Sequence, residues 1–235
     1  TLKDGAVPAD RDFELTWKPE LGSAPEAGVF VENRDGQRHL LVMLMPPSLP
    51  ANEIPSAPRE TIFVIDTSGS MEGTSIRQAK AALKLALDRL APTDRFNIIE
   101  FNSVATALFG RPQTATPATV QRAHDFVDGL RARGGTEMMK ALDLALDGET
   151  QPNRLRQVVF MTDGAVGNEE ALFQRIRAQL GDTRLFTVGI GSAPNGWFLS
   201  RSAEVGRGTF TNIDRLDEVG TRMAALFMKL EKPVL

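Results

Sequence analysis

From Arg59 onward, short apolar runs without polar alternation take turns with stretches whose apolar residues recur every three or four positions. This feature constrains the fold most. A run with no alternation suits a strand buried on both faces, and a strand is covered on both faces only when helices lie above and below it. Residues 61–65 are the first such run, and 96–101, 157–161, 185–188 and 209–213 are further strands, with 104–108 a short third. Between them, Ile76, Ala79, Leu83, Leu87 and Leu90 form one helical stripe, and Val120, Ala123, Val127 and Leu130 another. Met138, Leu142, Ala145 and Leu146, then Leu172, Ile176 and Leu180, repeat the pattern. Residues 198–205 are weakly helical, and Leu216, Val219, Met223, Phe227 and Leu230 close the chain with an amphipathic helix. The methionines at 138 and 139 and in the last helix read as core. The expected fold is α/β: a doubly wound, mostly parallel six-stranded sheet flanked by helices.

The first 58 residues follow another rule. Residues 12–17, 28–32 and 38–45 read as short strands, with turn chemistry at Asn33-Arg34-Asp35-Gly36. Residues 46–58 hold five prolines and read as a linker. The expected division is therefore a β-rich extension with linker over 1–58 and the α/β domain over 59–235. So few strands make no core of their own, so the extension is expected to pack on the α/β domain or on a further domain. The chain starts at Thr1 rather than Met and shows no signal peptide, as expected of a processed chain or a fragment.

Composition limits the chemistry. With no cysteine and only His39 and His124, thiolate zinc sites, disulfides and multi-histidine sites are excluded, so any metal must be held mainly by oxygen. The formal charge of −3 gives no general attraction to nucleic acid. No apolar run is long enough to span a membrane, so insertion by this chain is not expected.

In open sheets of this kind, ligands bind beyond the carboxyl ends of the strands, where the strand order switches. The first strand runs into Asp66-Thr67-Ser68-Gly69-Ser70, and the fourth into Thr162-Asp163-Gly164. Gly134-Gly135-Thr136 precedes a helix between them. With strand order 3-2-1-4-5-6, Asp66 and Asp163 would face one another. Ser68 and Ser70, two apart, would turn both hydroxyls to one side of an extended loop. Carboxylate and hydroxyl oxygens suit a hard ion such as Mg, Mn or Ca. Two carboxylates roughly neutralise such an ion and leave it open to a partner's carboxylate. A Ser/Gly-rich turn after a strand also serves as a plain helix cap; the Thr and Asp segments, in order at suitable elements, favour the metal site.

Asp-x-Ser-x-Ser with a downstream Thr and Asp resembles the metal-ion-dependent adhesion site of von Willebrand factor A domains. The resemblance covers roughly residues 59–230, including Val-Gly-Ile-Gly at 188–191. It implies that Asp66, Ser68 and Ser70 contact the metal directly, and that Thr136 and Asp163 do so directly or through water. It also implies a non-enzymatic module that binds protein ligands at a cell surface. The flank, with Phe13, Trp17, residues 28–32 and 39–47 and the prolines, is similar to the junction between an inter-alpha-trypsin-inhibitor-type (VIT) domain and its A domain in bacterial surface proteins.

Rival functions have weaker supports. A metal-assisted hydrolase needs a general base beside the ion, and Glu137 is the one candidate. A structural domain with an unfilled site is the other rival. A Ser–His–Asp hydrolase lacks a Gly-x-Ser-x-Gly elbow, and both histidines read as surface residues. Gly189-x-Gly191 lacks the third glycine of a dinucleotide loop, having Pro194 there. Arg131 and Arg133 read as a solvated helix end that could rim the site, and Trp197 as a partner contact or loop packing.

Overall fold

The computed structural model describes residues 24–45, 47, 58–148, 153–164 and 167–231. Contacts divide the chain into two units, Thr1–Pro55 and Ser56–Leu235. The expected strand at 12–17 and nearly all of the proline linker lie outside the described residues.

In the first unit, β1 (Glu26–Arg34) pairs antiparallel with β2 (Gln37–Met45). Asp35 and Gly36 between them both have positive φ, 52° and 76°, the double left-handed pair that a tight two-residue hairpin requires. Val29 faces Val42, Phe30 faces Leu41 and Val31 faces Leu40, so both faces of the hairpin carry apolar residues.

The second unit carries β3 (Arg59–Asp66), α1 (Thr74–Asp88), β4 (Arg95–Phe101), β5 (Ala105–Ala107), β6 (Gln113–Thr114), α2 (Pro117–Gly129) and α3 (Met138–Leu146). It continues through β7 (Leu155–Thr162), α4 (Glu169–Gln179), β8 (Arg184–Ile190), α5 (Gly196–Val205), β9 (Phe210–Ile213) and α6 (Val219–Glu231). The main path through the sheet is β5-β4-β3-β7-β8-β9. The expected order 3-2-1-4-5-6 is therefore present. β3, β4, β7, β8 and β9 are parallel, and β5 is antiparallel to β4. The two-residue β6 also pairs with β4 and makes a seventh strand, too short to leave a periodic signal in the sequence.

Successive side chains of a strand point to opposite faces. Phe63 and Ile65 accordingly join Phe96, Ile98, Val159 and Met161 beneath α1, α2 and α6. Ile62 and Val64 join Ile99, Phe101, Val158 and Phe160 beneath α3, α4 and α5. With both faces covered, all eight residues of β3 are buried. Of the methionines read as core, Met138 and Met223 are buried, but Met228 is 57% exposed, because it lies on the opposite side of α6 from Val219, Leu226 and Leu230.

The turn from α5 into β9 presses on β8. The N–H of Leu185 donates to the Gly206 carbonyl at 2.8 Å, and a Cβ on Gly208 would run into the Leu185 carbonyl group. Gly208→Ala is therefore expected to cost about 1–3 kcal/mol, the range for overpacking against backbone, read as a lower urea midpoint at unchanged slope. An unchanged midpoint would show that the turn swings clear at no cost.

Candidate metal centre

β3 is flanked by β4 on one side and β7 on the other, so the loops after β3 and β7 diverge at the switch in strand order. Asp66 ends β3 and is fully buried. Its Oδ1 accepts the Ser68 N–H at 2.8 Å, and its Oδ2 accepts the Thr162 hydroxyl at 2.5 Å. Burial pushes the Asp66 carboxyl above the usual range; hydrogen bonds from Ser68 and Thr162 oppose the rise, and the negative charge of Asp163 adds to it. None of these groups is basic.

Ser68 is buried with extended backbone, φ −63° and ψ 165°. The chain then enters a 3₁₀ turn at Gly69–Met71 rather than staying extended, yet the Ser68 and Ser70 hydroxyls still lie 3.1 Å apart. Asp163 follows directly on β7 and is half-buried. Gly164 beside it has φ 74°, and a Cβ there would meet Asn195 at 3.0 Å, so this turn needs glycine. Thr136 reaches the same end of the sheet through its loop. The Gly69 N–H donates to the Gly134 carbonyl at 3.0 Å, and the Arg133 N–H to the Thr67 carbonyl at 2.7 Å.

Several supporting residues escape sequence reasoning. Thr162 links Asp66 to the Gly164 N–H, which donates to its hydroxyl at 2.9 Å. The Asn195 N–H donates to the Asp163 carbonyl at 2.9 Å, and its side chain caps α5 through Phe198 N–H. The buried Thr67 hydroxyl donates to Glu100 at 2.9 Å and accepts from Asn102 at 3.0 Å, while Arg133 pairs with Glu100 at 3.1 Å. Asn102 and Ser103 bind the Thr136 loop: the Asn102 carbonyl accepts from Glu137 N–H at 2.7 Å, and the Ser103 hydroxyl from Gly135 N–H at 2.8 Å. The carboxyl end of β4 was the available signal, since it opens on the same edge as β3 and β7.

The rival candidates sit otherwise. Glu137 precedes α3 and pairs with Lys140 at 3.4 Å, half-exposed. His124 pairs with Asp88 at 2.9 Å between α2 and α1. Trp197 is 65% exposed, with its edge against Phe173 at a 5.9 Å centroid distance.

The donor chemistry fits a hard divalent ion. Among the described residues, no three His, Cys, Asp or Glu side chains group closely enough to hold a metal by themselves. Hydroxyls must complete any site, and they converge here beside a buried carboxylate.

The family model for the von Willebrand factor type A domain matches residues 59–211, more than half of the chain. The chain belongs to the von Willebrand factor type A domain family. A von Willebrand factor A domain-containing protein of Dictyostelium discoideum is 37% identical over 134 residues, covering 57% of this chain and 14% of that protein. Human inter-alpha-trypsin inhibitor heavy chain H4 is 32% identical over 191 residues, covering 76% of this chain and 20% of that protein. This chain thus spans a fifth or less of the length of these two relatives. Among solved structures, a von Willebrand factor type A protein of Catenulispora acidiphila aligns with TM-score 0.69 at 22% identity, covering 87% of this chain and 49% of that one. Proximal thread matrix protein 1 of the mussel byssus, with a zinc-occupied MIDAS motif, aligns with TM-score 0.57 at 15% identity, covering 73% and 47%. The manganese-loaded TRAP protein of Plasmodium vivax aligns with TM-score 0.55 at 21% identity, covering 70% and 71%. The last two of these folds carry divalent metal in their own proteins.

Proposed function

We propose that this A domain is a non-enzymatic, metal-dependent module that binds a protein partner through the partner's carboxylate. Asp66, Ser68, Ser70, Thr136 and Asp163 would hold the ion, Mg foremost, with Mn and Ca as competitors. The observation that carries this reading is Asp66: a carboxylate fully buried among hydroxyls, with none of its strongest neighbours basic. A buried charge without a counter-ion is costly, and a cation repays it. Bound there, the ion supplies positive charge that only two carboxylates offset, which leaves it attractive to an incoming anion. The domain's own residues orient and polarise: Thr162 fixes one Asp66 oxygen, the Ser68 N–H fixes the other, and the Gly134–Gly69 bond holds the Thr136 loop in place.

The surrounding assignments follow from the same reading. The likeness to an inter-alpha-trypsin inhibitor heavy chain favours residues 1–58 as the end of a VIT-like domain and 59–235 as the A domain. It also favours a surface or extracellular setting, and the flank's resemblance places the chain with bacterial proteins of the VIT–A-domain type. No helix among the described residues is long and apolar enough to cross a membrane.

The test uses Mn as a magnetic probe. One Mn per chain should bind, and the enhanced water-proton relaxation should drop when a glutamate-bearing peptide displaces water from the ion. Metal and peptide should each tighten the other's binding by the same factor. Asp66→Ala should abolish Mn binding. Thr162→Val keeps shape but drops the hydroxyl that fixes Asp66, and is expected to weaken Mn about 10–100-fold. Equal Mn binding by wild type and Asp66→Ala would overturn the site. Full Mn binding with no response to carboxylate would leave a metal site and remove the partner bridge.

A further inference from the structure

Beside the loop that carries Ser68 and Ser70, a groove of about 510 Å³ runs between α1 and the segment after α2. Its floor is apolar, with Ile76, Ala81 and Ala132. Its walls are cationic: Arg77, Lys80 and Lys84 from α1, and Arg131 opposite. Arg77, Lys80 and Lys84 follow helical spacing, so they share one side of α1. One end reaches the candidate metal loop. Glu72 lines that end, and its N–H donates to the Gly69 carbonyl at 3.2 Å. Ala132 at the same end adjoins Arg133, whose N–H binds the Thr67 carbonyl.

The cations have few anions to meet. Lys84 pairs with Asp128 at 2.5 Å. Lys80 donates to the Asp128 and Leu130 carbonyls at 2.9 and 3.2 Å, and Arg131 to the same two carbonyls at 2.9 and 2.8 Å. Arg77 donates to the Thr74 hydroxyl, at 3.1 Å. Two cations thus converge on the carboxyl end of one helix, whose partial negative charge is about half an elementary charge and less than theirs together. Burial and the charge of Arg131 hold Lys80 below the ordinary lysine range, with Asp128 opposing. The chain as a whole has net charge −3, so this excess of positive charge is local.

We propose that this groove seats an acidic, leucine-bearing segment of the protein partner, continuing down α1 from the carboxylate held at the metal. The charge of the walls selects acidic side chains and the floor selects apolar ones between them. An extended strand alternates its side chains and can present both. Arg77 and Lys84 are separated by about 10 Å along the helix axis, a span that about three extended residues cover. The proposal rests on the carboxylate-binding reading for its starting point, but the groove lies outside the metal ligands and is tested separately.

The probe is a short fluorescent peptide alternating glutamate and leucine, with a glutamine–leucine analogue as the control. Anisotropy is measured on the full chain with Mg, with chelator, and at raised salt. Arg77→Glu/Arg131→Glu reverses two wall charges without touching the proposed metal ligands. Arg222→Glu, on an exposed turn of α6, is the surface control. The groove predicts that the glutamate peptide binds wild type at least about tenfold tighter than the glutamine analogue. It also predicts at least about a tenfold loss in the double variant, no loss in Arg222→Glu, and weakening by salt. If chelator leaves binding unchanged while the double variant loses it, the groove stands and the metal bridge falls. Equal binding of both peptides, or an unaffected double variant, overturns the groove. So does displacement of the peptide by inorganic polyphosphate at equal charge concentration, because the walls would then bind any polyanion. Circular dichroism and an unchanged melting temperature establish that the double variant is folded.

Discussion

Without metal and near neutral pH, Asp66→Asn is expected to melt at or above wild type, and saturating Mg is expected to reverse that order. Burial raises the folded pKa of Asp66 above its unfolded value, so the native state binds more protons. For an acid shifted this way, the favourable contribution is present at low pH and is lost as pH rises through the folded pKa. Above it, the ionised carboxylate burdens the metal-free fold. The Asp66→Asn substitution removes that charge and keeps the shape: the new amide's carbonyl can accept the Ser68 N–H, and its NH₂ can donate to a rotated Thr162 hydroxyl. Mg about 100-fold above its dissociation constant would stabilise wild type by ~2.7 kcal/mol. For a domain of this size that is about 5–10 °C of melting temperature. Asp66→Asn should show almost none of this gain. Scanning calorimetry with chelator and with Mg decides it. An equal rise in both proteins would place the ion elsewhere. A variant that is unfolded in chelator would make Asp66 a structural residue instead.

That crossover separates what the sequence discloses from what only folding discloses. Apolar runs without alternation revealed β3, β4, β7 and β8 because each is covered on both faces, and burial on both faces leaves no polar period to read. The strand order was a condition in the sequence reading, and the structure supplies it by placing β3 between β4 and β7. Asp66, Ser68, Ser70, Thr136 and Asp163, the proposed ligands, could be nominated from the sequence because their residue types are unusual in that order. Thr162, Asn195 and Asn102 were not, because a threonine or asparagine next to a motif looks like ordinary turn chemistry until its partner is known. Their bonds cross from one loop to another, Asn195 to Asp163 and Asn102 to Glu137, and no local spacing encodes such pairs. Charge misleads for the same reason. Arg59 and Asp94 look like solvated residues at element ends, yet they are 8% and 2% exposed.

That pair carries the largest stability effect expected in the domain. Asp94→Ala should cost about 3–5 kcal/mol, the range for breaking a buried ion pair by removing one partner. Arg59 opens β3, and its backbone N–H, Nε and terminal nitrogen all donate to the Asp94 carboxylate. The same carboxylate accepts the Ala91 N–H at 3.0 Å, closing the turn that leads into β4. Alanine would leave a buried guanidinium and two backbone N–H groups without their acceptor. The loss comes from the stranded charge more than from the lost bonds, so the order of variants is diagnostic. Asp94→Asn keeps an acceptor and should lose less than Asp94→Ala. Arg59→Leu/Asp94→Leu removes both charges and should recover much of the loss. Chemical denaturation of these variants and wild type measures this, and Arg59→Leu and Asp94→Leu alone complete the double-mutant cycle that gives the coupling. A double variant as unstable as Asp94→Ala would mean that the backbone bonds, not the charge, hold this end of the sheet. Because Arg59 starts β3 and Asp66 ends it, the pair and the metal loops lie at opposite ends of that strand. Each folded variant should therefore gain as much from Mg as wild type does, although it starts from a lower melting temperature.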